Sequence, residues 1–369
     1  MKSSEKIKVL HISQASGGVK TYIENIIYHL DKSKFEPFLV SPDKQFIAEA
    51  EEKGVKCEFV DLKRSPSIQD FQALIKLNRI IKKHHIDVIH AHSAKGGALG
   101  RLVGNLSGCK VIFTPNAFSY LSFKGIRRTL YIRIEKFLKS FTHLLLAVSD
   151  SEKDRALNEI GFRETKVESI PNFIIPMGKK KDDYGLKKKV GMIGRITHQK
   201  RPEHFVQLAA HLVKKGHNVD FELLGVGLHD HLLEETKALI KEHQLEDSIS
   251  LSNWGSYMQV IDFYETLDVF VLTSLFEGLP FSLLEAMDYG LPCLVSNVDG
   301  NKDAVKHGEN GYVYGDTSDL FLLCEKLLTN EDDRERIGKN AIENIKNNHN
   351  TRIAIKEVEG IYDQLTSGN

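Results

Sequence analysis

The chain has 369 residues, 41% of them apolar, with 50 Lys+Arg balanced by 50 Asp+Glu. Disorder, collagen and coiled coil are excluded by that composition, and at roughly 100–200 residues per domain two domains are expected. The zero net charge conceals an asymmetry: residues 1–185 hold 31 basic and 21 acidic side chains (+10), which leaves 19 and 29 (−10) for residues 186–369.

Short β-branched runs alternate with longer amphipathic stretches throughout, the pattern of parallel βαβ units. In the first half this predicts strands over 8–12, 37–41, 57–61, 87–91, 110–114, 144–149 and 167–170, with a helix over 20–30 after the first. Ile68, Phe71, Leu74 and Ile75 recur at helical spacing, which places them on one face above the sheet. A Lys-, Gly- and Asp-rich stretch then reads as a linker over 176–189. A second series predicts strands over 190–194, 219–224, 248–251, 269–273 and 293–296, and a polar helical stretch from about 331 to 365 closes the chain. The expected organisation is therefore 1–175, linker 176–189, 190–350, and a terminal helix over 351–369 crossing back to the first domain. Two doubly wound α/β domains direct the site search to a cleft at the carboxyl ends of their strands.

Cys57, Cys109, Cys293 and Cys324 form no C-x-x-C pair, so neither a zinc site nor a disulfide framework is expected, and a reducing cytoplasm is the natural compartment. The N-terminal apolar run is too short for a signal peptide, and no segment reaches the roughly 18–20 apolar residues of a membrane span. Any membrane contact is expected to be peripheral. A neutral chain without a recognition motif disfavours nucleic acid.

Three segments carry candidate chemistry. Gln14-Ala15-Ser16-Gly17-Gly18 leads from the first strand into a helix; paired glycines admit a ligand close to the backbone and offer first-turn N–H groups to an anion. Tight-turn geometry explains such a pair equally well, and the absence of G-x-G-x-x-G disfavours a dinucleotide. In TSLFEGLPFSLLEAM (273–287) a buried strand gives way to a loop with Glu277 and Gly278, and Pro280 marks a helix start. That N-terminus suits a phosphate, while Glu277 and, further along, Glu285 can accept hydrogen bonds from hydroxyls of the same ligand. Solvated carboxylates or a loop anchor are the plain alternatives. GMIGRITHQKRPE (191–203) runs a strand into a loop bearing Arg195 and Lys200, two cations able to neutralise a diphosphate, or simply a solvated basic loop.

Taken together, SGGVKTYIENI, DVIHAHSAKGGALGRL, IFTPNAF, AVSDSEK and SIPN in the first half, with GRITHQKRPE, LLGVG, FEGLPFSLLE and NGYVY in the second, resemble the family-4 retaining glycosyltransferases of the GT-B fold. The resemblance implies two Rossmann-like domains facing across a cleft, the first on the acceptor side and the second binding a nucleotide sugar. It implies Arg195, Lys200 and Glu277 as the catalytic set, with Glu285 on the ribose hydroxyls and Glu277 on hydroxyls of the donor sugar. Backbone amides of Leu279, Pro280, Phe281 and Ser282 would cradle the phosphates, and Gly17, Gly18, Asn116, Gly194, Gly225 and Gly278 would line the donor site. Asn116 stands where family members commonly carry histidine, so no histidine base is expected there; Asp303 likewise replaces a more usual glutamate.

The partners implied are a UDP-sugar donor of a hexose or N-acetylhexosamine and a lipid-linked or oligosaccharide acceptor of a growing surface glycan, with no cofactor or metal. A soluble acceptor, an epimerase activity and a non-catalytic sugar-nucleotide subunit are the rival readings. His90 and His92 share a strand face at a spacing a metal can use, but no third ligand is evident, and His92 is expected on the acceptor side. Over 124–141, Ile126, Leu130, Ile134, Phe137 and Phe141 form one helical stripe opposite Arg128, Lys136 and Lys139. A core helix with a solvated basic face is expected, with attraction to an anionic inner-membrane surface as the sharper reading.

Overall fold

The computed structural model describes residues 5–14, 17–63, 67–179, 187–227, 230–253, 255 and 257–367. The chain divides into two compact units, one running to Phe173 and resuming at Thr351, the other comprising Ile174–Asn350. Residues 180–186, within the expected linker, lie outside the described residues, as do Ala15 and Ser16.

The first unit runs β1 (Ile7–Ile12), α1 (Gly18–His29), β2 (Phe35–Ser41), α2 (Lys44–Glu52), β3 (Lys56–Phe59), α3 (Gln69–His84) and β4 (Val88–His92). It continues with α4 (Ser93–Ser107), β5 (Lys110–Thr114), α5 (Gly125–Leu138), β6 (Leu144–Ala147), α6 (Asp150–Arg155) and β7 (Val167–Ser169). The strands pair in parallel in the order β3-β2-β1-β4-β5-β6-β7. The second unit runs β8 (Lys188–Ile193), α7 (Pro202–Lys214), β9 (Val219–Val226), α8 (Leu233–Glu242), β10 (Ile249–Asn253), α9 (Tyr257–Thr266) and β11 (Val269–Leu272). After it come α10 (Phe281–Asp288), β12 (Cys293–Ser296), α11 (Asn301–Ala304), β13 (Tyr312–Tyr314), α12 (Thr317–Thr329) and α13 (Glu331–Asn348). Its order, again parallel, is β10-β9-β8-β11-β12-β13. Strand order reverses between β1 and β4 in one sheet and between β8 and β11 in the other, and these are the switch points where open α/β sheets take ligands.

The central strands are buried on both faces, as parallel sheets require. Val9, Ile12, Ile89 and Val111 are fully buried in the first unit, and Val190, Met192, Val269 and Val271 in the second. The single polar stretch expected near the end is two helices. His349 and Asn350 break it, and α14 (Thr351–Ser367) packs within the first unit, where Tyr362 is buried beside Phe35 and His90.

Two periodicities were turned the wrong way round by the sequence. On α3 the buried positions are Ala73, Leu77, Ile80 and Ile81, while Ile68, Phe71 and Ile75 are exposed. On α5 the stripe expected in the core faces solvent, and Glu135 and Leu138 face inward instead. Arg101 on α4 causes this orientation. Fully buried, it donates from Nη1 and Nη2 to Glu135 at 2.8 and 3.2 Å and from Nε to the Gly97 carbonyl at 2.9 Å, with its guanidinium 3.8 Å from the Phe113 ring centroid. A carboxylate held this way fixes which face of α5 meets the protein.

Candidate active site

In the second unit the switch point gathers the loops after β8 and β11. The Lys200 ammonium donates to Glu277 Oε1 at 2.6 Å, and both side chains are largely buried. Gln199 braces the same loop, donating from Nε2 to the Phe276 carbonyl at 3.0 Å while its own carbonyl accepts from the Leu275 N–H at 2.7 Å. Arg201, in the left-handed region at φ 47°, donates from Nε to the Thr273 carbonyl at 2.8 Å. Arg195 is exposed at the end of β8, with no ion-pair partner among the described residues. The structure thus brings Lys200 and Glu277 together and leaves a second cation on the same strand edge.

Backbone proximity shapes the floor of this site. Gly225 adopts φ +139°, and a Cβ there would fall 2.5 Å from the Gly194 carbonyl oxygen, so only glycine lets the β8 and β9 ends meet. Gly300 likewise lies against the Gly278 backbone, and its N–H donates to Asp303 Oδ2 at 2.7 Å. Asp303 therefore spends at least one carboxylate oxygen holding its own loop. Gly278, Leu279 and Pro280 are buried ahead of α10. Pro280 has no N–H, so the expected cradle of amides reduces to Leu279, Phe281 and Ser282.

Glu285 sits on α10 within reach of Tyr264 on α9, whose hydroxyl lies 2.9 Å from Glu285 Oε2 and 3.1 Å from the Ser282 carbonyl. Burial of the Glu285 carboxyl raises its pKa to about 7, a shift the Tyr264 hydrogen bond offsets only in part. Tyr264, itself pushed well above its ordinary value by burial, stays a proton donor. Sequence reasoning missed Tyr264, because nothing in an aromatic residue 21 positions away marks it as the partner of a carboxylate.

In the first unit the strand ends at the β1/β4 switch carry Gly17 at φ 68° just before α1, and His92 at the end of β4. His92 presents no surface to an acceptor: it is fully buried, with Nε2 3.1 Å from His11 Nδ1. His11 sits opposite His90 in the β1–β4 register, a third imidazole the sequence did not reveal, and ligand atoms of the three histidines lie within 4.8 Å of one another. Both nitrogens of His90 are engaged, Nδ1 with the Tyr362 hydroxyl at 2.7 Å and Nε2 with Thr114 Oγ1 at 2.9 Å, whereas His11 Nε2 and His92 Nδ1 are buried without a hydrogen-bond partner among the described residues. Desolvation lowers all three pKa values, His11 to about 3, and keeps the rings neutral.

Asn116 and Ala117, after β5, both adopt left-handed backbone, at φ 52° and 72°. Asparagine tolerates this and alanine does not. Glu152 on α6 holds the turn, accepting from the Ala117 N–H at 2.7 Å and the Val148 N–H at 2.9 Å. The buried carboxylate is thus a positioning group for the Asn116 loop. Ala117→Gly is expected to raise stability by up to about 1 kcal/mol in thermal unfolding; a loss of that size would mean the methyl group packs favourably.

Two Rossmann-like units, the second with cations and carboxylates gathered at its switch point, are the architecture of the GT-B glycosyltransferases. Residues 16–176 match the model of "Glycosyltransferase Family 4" and residues 177–344 that of "Glycosyl transferases group 1". The chain belongs to the family-4 glycosyltransferases of the GT-B fold. It is 28% identical to the UDP-Gal:alpha-D-GlcNAc-diphosphoundecaprenol alpha-1,3-galactosyltransferase of Escherichia coli, covering 98% of each chain. To the capsular polysaccharide biosynthesis glycosyltransferase CapM of Staphylococcus aureus it is 22% identical, over 96% of this chain and 97% of that one. Its fold matches HepE of Anabaena, solved in complex with UDP and glucose, with a TM-score of 0.84 at 17% identity over 97% of this chain and all of that one.

Proposed function

We propose that this glycosyltransferase moves a hexose or N-acetylhexosamine from a UDP-sugar to a lipid-linked acceptor of a growing surface glycan, with retention at the anomeric carbon and without a metal. The observation that carries the reading is the Lys200–Glu277 pair at the β8/β11 switch point, 2.6 Å apart and largely desolvated. As the glycosidic bond of the donor breaks, negative charge builds on the leaving diphosphate. Lys200 is a preorganised cation for that charge, worth most because its site is water-poor, and the exposed Arg195 supplies a second cation at the same strand edge. Glu277 orients Lys200 and accepts from sugar hydroxyls, Glu285 accepts from the ribose, and Asn116 hydrogen-bonds the sugar without acting as a base. The E. coli relative named for a UDP-galactose donor and a diphosphoundecaprenol acceptor supports the substrate classes. With such an acceptor the enzyme works at the cytoplasmic face of the membrane.

The test is transfer from UDP-galactose, UDP-glucose and their N-acetyl analogues to a synthetic α-GlcNAc-diphospholipid, followed by mass spectrometry and NMR of the new linkage. One added sugar in α linkage, formed equally in EDTA, is expected. A β-linked product, or transfer from donors of another nucleotide with UDP-sugars inert, would overturn the reading.

The Glu285 pKa of about 7 gives a pH dependence with a definite sign. Only the ionised carboxylate is a full acceptor for ribose hydroxyls, so uridine, which has no ionisable phosphate, should bind up to about tenfold more tightly at pH 8 than at pH 6. Calorimetry would show it, and a flat profile would remove Glu285 from the ribose site. Stability runs the other way. The native state keeps its proton between the unfolded value of 4.5 and about 7, so stability declines as pH rises across that window and stays reduced above it. Glu285→Gln should restore on the order of 2–3 kcal/mol at pH 8 while weakening uridine binding.

A further inference from the structure

We infer that Thr273 is a positioning residue for sugar transfer, a clasp that holds the Lys200 ammonium where the leaving diphosphate forms. The inference rests on the reading of the loops after β8 and β11 as the diphosphate site. Those two strands pair directly, with Val190 opposite Val269, so the loops that leave them run side by side. Thr273 is the first residue past β11 and is fully buried. Its hydroxyl lies 2.6 Å from the Lys200 carbonyl and 2.9 Å from the Arg201 carbonyl, so one O–H is shared between two consecutive carbonyls of the opposite loop. Arg201 returns the contact, donating from Nε to the Thr273 carbonyl at 2.8 Å.

The clasp closes around the residue whose aim matters. On the N-terminal side the Lys200 N–H donates to the Thr197 carbonyl at 3.0 Å, and the Gln199 carbonyl accepts from Leu275. On the C-terminal side Arg201 takes left-handed backbone at φ 47° and ψ 63°, a conformation an arginine keeps only where the surrounding bonds over-determine it. Those bonds are the two with Thr273 and the one from the His204 N–H to the Arg201 carbonyl at 3.1 Å. Between these ties the Lys200 stem crosses Gly194 and ends on Glu277 Oε1. A flexible four-carbon stem aims its charge only as well as its backbone is fixed. Glu277 stands on the loop that Thr273 begins, so one threonine sets both members of the ion pair relative to each other. Valine would fill the same space and leave both carbonyls without this donor.

The test compares UDP with uridine by calorimetry on the full chain, since only UDP carries the diphosphate that Lys200 meets. Thr273→Val should weaken UDP by about tenfold and leave uridine unchanged, while Thr273→Ser, which restores the hydroxyl, should bind UDP within about threefold of the wild type. In a Lys200→Ala background Thr273→Val should cost nothing further, because it acts through the lysine. Thermal unfolding checks each variant. If Thr273→Val does not fold, Arg201→Gly decides by the same ratio of UDP to uridine affinity, because glycine suits the left-handed backbone and removes the Nε donor; a lowered ratio supports the clasp and an unchanged one overturns it. Thr273→Val that binds UDP as the wild type does, a serine variant as weak as the valine one, a loss shared equally by UDP and uridine, or a full further loss without Lys200 overturns the proposal. A wild type that does not bind UDP sinks the donor site and the clasp with it, whereas a wild type that binds UDP beside an unaffected Thr273→Val removes the clasp alone.

Discussion

Lys200→Ala should lower turnover by roughly 10²–10³-fold, the cost of removing one preorganised group that stabilises developing charge. The lysine is poorly replaceable. Its stem crosses Gly194, where a Cβ would meet the Lys200 methylenes at 3.1–3.2 Å, and its ammonium is held 2.6 Å from Glu277. Two effects follow from its loss: the leaving diphosphate loses a cation, and Glu277 becomes a largely buried carboxylate without its partner. Donor repulsion from that carboxylate adds to the catalytic defect, so Lys200→Ala should be more damaging than the Lys200→Ala/Glu277→Gln double variant relative to additivity. Steady-state kinetics with a matched unfolding curve checks this. Lys200→Ala with a kcat within about threefold of wild type would mean that the pair is structural.

Glu135→Ala should destabilise the chain by about 3–5 kcal/mol, because it strands the fully buried Arg101 guanidinium without its counter-charge. The arginine would keep only the Gly97 carbonyl and the Phe113 ring, neither of which neutralises it. Replacing both partners at once, Arg101→Met with Glu135→Leu, should recover most of the loss, since two apolar side chains of similar size avoid the desolvation cost of an ion pair. Denaturant titration distinguishes the outcomes. A single-variant loss below about 1 kcal/mol would show that the pair is solvated, and it would also remove the reason given for the rotation of α5.

How far sequence reaches into this protein depends on the range of the interaction involved. Strands such as Lys110–Thr114 and Cys293–Ser296 were legible to the residue because a β-branched run flanked by turn residues is a local signal. Tyr312–Tyr314 was seen only as part of a motif, three residues being too short to show a period. Periodicity identified α3 and α5 as helices and misassigned their buried sides, because it reports which residues share a face and not where that face points. The deciding contact for α5, Arg101 with Glu135, joins residues 34 apart. The pattern holds at the site. The positions of Lys200 and Glu277 in strand-end loops and of Glu285 on the following helix were legible, whereas the contacts of Tyr264, Glu152 and His11 arise from sheet register and packing that no spacing displays. His92 shows the reverse error, a residue marked by its motif that the fold buries under its neighbours.

The central claim is that the loops after β8 and β11 form the site where a sugar-nucleotide bond is broken. A panel of nucleotide sugars incubated with the purified chain in EDTA, followed by release of free nucleotide, tests it without knowledge of the acceptor. Slow release from a UDP-sugar, abolished by both Lys200→Ala and Glu277→Gln, is the predicted result. Release that proceeds undiminished in both variants would contradict the account, because the bond would then be breaking somewhere other than beside this pair.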